Sequence, residues 1–176
     1  MEPREVVRIG EIDRTERIRA GYVWTGGELR RLDVNWDSPA WKPEGQGEHS
    51  VAAMVAFCRD HLDRNGRMAG AFDGHKLVGV AIIQHNVRPG TAQLAFLHVS
   101  NGCRRMGIGG RLTEMLLNDA QQAGARKIVV SATPSASAVN FYLSHGFQPT
   151  SCPLPELYEL EPDDIHMIQY TVTSNQ

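Results

Sequence analysis

The sequence predicts a mixed α/β fold, a single mixed sheet with helices on its faces. Three observations carry that expectation. Strand-like and helix-like runs alternate in the order β-α-(α)-β-β-β-α-β-α-β-β. Glycine-bearing turns separate several of these runs, at Thr25-Gly26-Gly27, Asp73-Gly74-His75 and Arg88-Pro89-Gly90. The 176 residues, 41% of them hydrophobic, suffice for one domain with its own core.

Taken in order, "EVVRI" reads as a short first strand, and "EIDRTERIRAGY" as a helix whose regular apolar positions are Ile12 and Ile18. "YVWTGGELRRLDV" sets β-type residues on both sides of a glycine pair and predicts a hairpin. "WDSPAWKPEGQGEHS" mixes prolines with glycines and reads as a loop. Ser50 is an N-cap for the helix in "SVAAMVAFCRDHLDRNG". Val51, Met54, Val55, Cys58 and Leu62 share one face of it, and Gly66 is its stop.

"RMAGAFD" and "KLVGVAIIQHNV" follow as hairpin strands, and "TAQLAFLHV" as a third strand. After the next glycine-rich stretch, Ile108, Leu112, Met115, Leu116 and Ala120 form a helical stripe that ends at Gly124. "RKIVVSAT" is a β-branched buried strand. "PSASAVNFYLSHG" is a short helix with Pro134 near its start and Gly146 at its end. "FQPT", an acidic loop "PELYELEPDD" and a last strand "HMIQYTV" complete the chain.

Composition excludes several function classes. Lys+Arg 18 against Asp+Glu 20 leaves a net charge of −2, so no global field favours nucleic acid or an anionic membrane. Cys58, Cys103 and Cys152 lie far apart, without disulfide-framework or zinc spacing, and His49, His61, His75, His85 and His145 share no ligand spacing. The expectation is no metal. No apolar run approaches the roughly 18 residues that span a bilayer. The acidic opening lacks an apolar leader core, so a cytoplasmic, reduced, single-domain protein over residues 1–176 is expected.

The chemistry-bearing signal is "CRRMGIGG", residues 103–110, between an apolar strand and a helix. Glycine lets backbone N–H groups approach a ligand, and arginine invites phosphate. Gly102 and Gly107 have the GxxxxGK(S/T) separation, but Ile108 stands where the lysine must be. Gly107 and Gly109 begin a GxGxxG fingerprint, but Leu112 stands where its third glycine must be. What remains is a metal-free anion site at a helix N-terminus, whose first N–H groups are unpaired and whose dipole supplies roughly half a positive charge. A pyrophosphate suits it.

Arg104-x-x-Gly107-x-Gly109 after an apolar strand resembles the Q/R-x-x-G-x-G/A signature of the GNAT N-acetyltransferase superfamily. About thirty residues on, "SAVNFYLSHGF" is similar to that family's second motif, in its shortened N-F-Y…G-F form. The resemblance is strong over residues 67–148. Residues 1–66 diverge and would form the acceptor side, with an acidic loop and last strand in 149–176.

The resemblance implies a mostly antiparallel sheet of six to seven strands flanked by about four helices, with a splayed acyl-CoA cleft. It implies acetyl-CoA as co-substrate. The strand before the glycine turn would leave its neighbour, and the backbone groups of Leu97, His98 and Val99 would pair with pantetheine. The N–H near Val99 would polarise the thioester carbonyl. Main-chain groups of Arg104, Arg105, Met106, Gly107, Ile108, Gly109 and Gly110 would cradle the pyrophosphate. Asn140 would bind pantetheine, and Tyr142 would lie near the sulfur.

The chemistry needs an acid at the leaving thiolate and a base for the amine. Tyr142, with an ordinary pKa of about 10, keeps its proton at neutral pH and is the expected acid. Histone-modifying relatives carry a glutamate where Gln93 stands here, and glutamine cannot take a proton. The base is left among His98, Glu159, Glu161, Asp163, Asp164, His166 and water. The acidic run favours a cationic small-molecule amine. Tyr22, Trp24, Trp36 and Trp41 either wall the acceptor or anchor loops to the core. A noncatalytic acyl-CoA sensor and a protein or peptide N-acetyltransferase are the alternatives, and the family allows a homodimer.

Overall fold

A computed structural model of the chain describes residues 1–45 and 47–171. The N-terminus departs from the sequence reading. Residues Pro3–Glu11 form a 3-10 helix, where a strand was expected. Val6 and Ile9, both fully buried, are three residues apart, which matches the three-residue turn. Glu2 and Glu5 close a capping box at its start, and Arg8 pairs with Glu11 at 2.7 Å near its end. The expected helix over residues 11–22 is also absent. Strand β1 (Glu16–Thr25) stands there, paired with β2 (Glu28–Ser38) around Gly26 and Gly27. Both glycines have positive φ, 61° and 79°, as a two-residue hairpin turn demands.

Helix α1 (Val51–Asp63) is capped by Ser50, whose hydroxyl accepts from the Ala53 N–H at 3.1 Å. Asn65, in the left-handed region at φ 69°, ends it. Gly66 instead opens β3, and glycine is required there because a Cβ would lie 2.4 Å from the His61 carbonyl oxygen. Then come β3 (Gly66–Asp73), β4 (Lys76–Arg88), β5 (Thr91–Val99), α2 (Ile108–Gln122), β6 (Lys127–Ala132), α3 (Ala136–Ser144) and β7 (Gln148–Pro149). The expected acidic loop contains a short helix α4 (Pro155–Leu160), with Pro155 in its first turn. Strand β8 runs Ile165–Tyr170; the end of the expected last strand, residue 172, lies outside the described residues.

The main sheet has six strands in the order β3-β4-β5-β6-β8-β7, while β1 and β2 form a sheet of their own. All neighbours in the main sheet are antiparallel except β5 and β6. Helices α2 and α3 cover one face, with Leu112, Leu116, Val139 and Tyr142 packed on Ala81, Leu94, Ile128 and Val130. The 3-10 helix and α1 cover the other, with Ile9, Val55 and Cys58 on Val80, Ile82 and Phe96.

One irregularity shapes everything that follows. On β4, Ile82 and Ile83 are consecutive, but their partners on β5 are Phe96 and Leu94. Ala95 is therefore surplus, a β-bulge that bends β5. Parallel pairing with β6 extends only from Thr91–Lys127 to Gln93–Val129 and stops just before the bulge. Beyond it the two strands part, leaving a V open toward the C-terminal ends of both.

The hairpin closes over that opening. Glu16 on β1 meets Arg104 at 2.9 Å, the Tyr22 N–H donates to Pro134 O at 2.9 Å, and Trp24 Nε1 donates to Ser151 Oγ at 3.2 Å. Strand β1 thus runs from the end of β5, past the start of α3, to the segment after β7.

Candidate active site

The V exposes main-chain groups of β5 that no strand satisfies. The Ser100 N–H donates to Val78 O, so Ser100 and Val78 form a hydrogen-bonded pair of the antiparallel ladder. Alternation makes His98–Val80 the next such pair, which spends the His98 N–H and C=O on β4. Leu97 and Val99 turn theirs into the V. The expected edge of Leu97, His98 and Val99 is thereby reduced to its outer two members. The Val99 carbonyl already accepts from Arg104 Nε at 3.1 Å, leaving its N–H and the Leu97 groups.

The glycine turn sits at the tip of β5. Asn101 to Cys103 make one 3-10 turn, and the Arg104 N–H closes it on Asn101 O. From residue 105 to residue 110, no N–H is donated to a backbone carbonyl among the described residues; the first intrahelical bond is Arg111 N–H to Gly107 O. Arg105 and Gly107 both have positive φ, 62° and 79°. Turns of this kind point successive N–H groups inward and favour anions, reinforced by the α2 dipole. The run of free donors starts one residue later than the sequence suggested, because the Arg104 N–H is engaged.

Each glycine has its own reason. A Cβ on Gly107 would meet nothing within 4 Å, so its backbone conformation is what matters. A Cβ on Gly109 would lie 3.3 Å from the Phe141 ring, and one on Gly110 would lie 3.1 Å from His145 Nε2. These two let the N-terminus of α2 abut α3. The arginines divide likewise. The Arg104 side chain turns away from the donors to Glu16, Val99 O and Arg14 O. The Arg105 and Met106 side chains stay exposed.

Helix α3 carries Asn140, exposed beside β1, and Tyr142, buried against the sheet. Tyr22 donates its hydroxyl to Asn140 Oδ1 at 3.0 Å, and no described residue accepts the amide hydrogens. Tyr142 is 8% exposed and packs edge-on to Phe141 and Phe147. No hydrogen-bond partner for its hydroxyl exists among the described residues. Burial raises its pKa, and the charges of Asp164 and then Glu161 raise it further. Tyr142 is a phenol that holds its proton.

The sequence profile of the acetyltransferase (GNAT) family matches residues 32–147. The chain belongs to that family. As such it is an acetyl-CoA-dependent N-acetyltransferase. The fold is shared with a crystal structure of nourseothricin acetyltransferase, at 19% identity and TM-score 0.70, over 97% of this chain and 95% of that one. A Bacillus anthracis str. Ames protein assigned as a streptothricin acetyltransferase, solved with acetyl coenzyme A, matches at 17% identity and TM-score 0.71 over 98% and 96%. The PaiA N-acetyltransferase of Thermoplasma acidophilum, in complex with coenzyme A, matches at 16% identity and TM-score 0.56 over 72% and 74%. No curated protein matches the sequence significantly.

In this acetyltransferase the glycine turn, with N–H groups bonded to no backbone carbonyl among the described residues, lies beside a strand edge that β6 does not pair with. Opposite lies the face toward α1. His98 points there, edge-on to Trp41 at 5.3 Å and beside Phe96 at 4.7 Å. Burial, helped by Arg14 and Arg104, pulls its pKa down to about 3, so it is a very weak base. Trp41 is buried and stacked under Arg14 at 4.4 Å, which makes it a loop anchor. Tyr22 and Trp24 anchor the hairpin, and Trp36 is exposed.

The acidic segment is ordered at the β6 side of the V. The Asp164 N–H donates to Glu161 O at 3.2 Å, and His166 Nε2 donates to the same carbonyl at 3.0 Å. His166 Nδ1 meets Ser131 Oγ on β6 at 3.1 Å. Burial, then Glu161 and Asp163, push the Asp164 pKa up to about 7. Cys58 lies in the core, where burial pushes its thiol up to about 12, and Cys103 is a part-exposed free thiol in the donor turn. Among the described residues, no group of three or more His, Cys, Asp or Glu side chains is arranged to hold a metal, and no helix is long and apolar enough to cross a membrane.

Glu16 escaped the sequence reading altogether. It ties Arg104 at the end of β5 to Ser137 at the start of α3, and no local motif marks such a bridge.

Proposed function

We propose that the protein acetylates the primary amine of a small cationic molecule, with donor and acceptor bound together, residues 1–176 acting as one domain. The observation that carries the acceptor class is the turn at residues 161–164. None of Glu159, Glu161, Asp163 and Asp164 has a cationic partner among the described residues, so their charge is available to an ammonium group. Two proteins of this fold over nearly the whole chain are named for nourseothricin and streptothricin, which supports a small-molecule acceptor.

Acetyl-CoA supplies an activated acetyl thioester. The N–H groups of residues 105–110 would hold its pyrophosphate. Leu97 and Val99 would pair with the pantetheine arm, and Asn140 would donate its free amide hydrogens to it. An N–H from this edge, Leu97 or Val99, would polarise the reacting carbonyl. Tyr142 holds a proton where the departing sulfur needs one.

Thiol release on mixing acetyl-CoA with a panel of mono- and polyamines, amino acids and peptides tests this reading. Turnover of small cationic amines in preference to acidic ones is the expected result. Donor binding with no turnover of any amine would support an acyl-CoA sensor instead, and preferred turnover of peptides would replace the acceptor class.

A further inference from the structure

Resting on the acetyltransfer reading, we propose that Asp164 is the general base, taking a proton from the ammonium of the acceptor. Its place in the fold is the first argument. Asp164 precedes Ile165, which pairs with Ala132 at the end of β6. That end of β6 belongs to the stretch that β5 does not pair with, so Asp164 stands at the mouth of the V. Ile165, Ala132 and Val139 pack in one cluster with Tyr142. Asp164 thus adjoins the end of the cluster that holds Tyr142, and its charge bears on the phenol.

The second argument is Tyr142 itself. Its side chain is more than nine-tenths buried, yet its hydroxyl, which no described residue bonds, keeps access to solvent and so opens on space that a ligand can enter. It lies beside the acidic turn, since the charges of Asp164 and Glu161 both bear on it.

The third is fixed geometry. Glu161 N–H donates to Leu157 O at 2.9 Å, and the Glu161 carbonyl receives both the Asp164 N–H and His166 Nε2. His166 is anchored in turn on Ser131. Catalytic groups need this sort of support. It also removes His166 from candidacy, because one ring nitrogen donates to a carbonyl and the other faces a hydroxyl. Gln93 has no basic lone pair of use, and His98 is too weak a base. The titratable groups that bear on Asp164 are Glu161 and Asp163 on its own turn, its charge bears on Tyr142 of α3, and no lysine or arginine is paired to it among the described residues. Confinement with like charges keeps its proton affinity near neutrality, where a general base works best.

The step balances. One proton passes from the ammonium to the Asp164 carboxylate, freeing the nitrogen lone pair. The N–C bond forms as the C–S bond breaks, and the sulfur takes the Tyr142 phenolic proton. The nitrogen then sheds its second proton to water, Asp164 releases its proton to water, and water reprotonates Tyr142. The net release is one proton.

Asp164→Asn tests it by two readouts. Activity toward the best amine should fall by about 10²–10³ with acetyl-CoA affinity unchanged, and the acidic limb of the kcat/KM profile should disappear. The second readout needs no substrate. A carboxyl whose folded pKa is raised destabilises the fold progressively as pH climbs from its unfolded value of about 4 toward 7. The variant should therefore melt several degrees higher than wild type at pH 8 and no higher at pH 4. Glu161→Gln removes a like charge and should shift the acidic limb to lower pH without abolishing it. An active Asp164→Asn enzyme with an unchanged limb overturns the base and leaves acetyl transfer intact. A wild type that turns over no amine, yet shows the pH-dependent melting gain, sinks the acetyltransfer reading and the base role with it, while upholding the placement of Asp164.

Discussion

The Tyr22 hydroxyl donates to Asn140 Oδ1 at 3.0 Å, and this bond alone decides which end of the Asn140 amide faces outward. With the oxygen occupied, two N–H donors remain for a ligand carbonyl. Tyr22→Phe frees the amide to rotate. A net hydrogen bond of about 1 kcal/mol predicts a roughly fivefold rise in the KM for acetyl-CoA, with kcat within twofold. Steady-state kinetics at varied donor concentration measures it, and an unchanged KM removes Asn140 from the donor site.

Tyr142→Phe keeps the packing against Phe141 and Phe147 and deletes only the proton. Loss of about 10²–10⁴ in kcat is expected, with donor affinity by calorimetry unaltered. Because the Tyr142 pKa is raised, wild-type kcat should hold as pH rises to about 10, the ordinary phenol value. A full-activity variant rules out Tyr142 as the acid.

Gly107 and Gly109 should fail differently. At Gly107 the penalty is conformational, about 1–2 kcal/mol for a side chain with left-handed backbone. Gly107→Ala should weaken donor binding about 5- to 30-fold, Gly107→Asn less, and Gly107→Val more. At Gly109 the backbone is ordinary, but a Cβ already presses on the Phe141 ring at 3.3 Å and touches Val99, so a branched side chain has no room. Gly109→Val should separate α2 from α3 and abolish donor binding, and it should lower the melting temperature as well. Normal donor affinity in both valine variants would exclude this turn as the pyrophosphate site.

Arg104 and Arg105 are neighbours with opposite expectations. Arg104→Ala breaks the tie to Glu16 and frees the Val99 carbonyl, so its main effect is a melting temperature lower by several degrees. Arg105→Ala should leave stability nearly unchanged and raise the donor KM modestly. Thermal denaturation of the two variants side by side separates the roles.

His98 makes the fold sensitive to acid. Its folded pKa is depressed to about 3, below the ordinary value near 6.5, so only the unfolded chain takes up its proton between those limits. Stability should be intact above about pH 6.5 and decline as pH falls below it. His98→Phe should flatten that part of the melting curve; an unaltered slope would assign the acid sensitivity elsewhere.

Residues 67–148 were legible because their strands, turns and motifs are written locally. Thr91–Val99 was read to the residue, since a turn precedes it and a glycine stretch follows. The first 21 residues were not. Val6, Ile9 and Ile12 share a three-residue period that the short run "EVVRI" hides. Ile12 and Ile18, six apart, suit a helix or a strand equally, and only pairing to β2 and Pro134 decides between them. Within the site, the arginine side chains and the base were beyond local reading. Arg104 is directed by Glu16, 88 positions away, and the proton affinity of Asp164 is set by packing and by neighbouring charges.

Ala95 closes the account of the cleft. Its methyl group touches no chemistry, yet its presence as a surplus link turns β5 out of register and away from β6. The cavity is thus stored as a count of residues rather than as a kind of residue. Ala95 should accept many substitutions, whereas its deletion would restore a regular ladder, in which Leu94, Phe96, Leu97 and His98 keep their partners and faces, and would remove the bend that holds the V open. An enzyme could lose its catalytic space here without losing a single catalytic group.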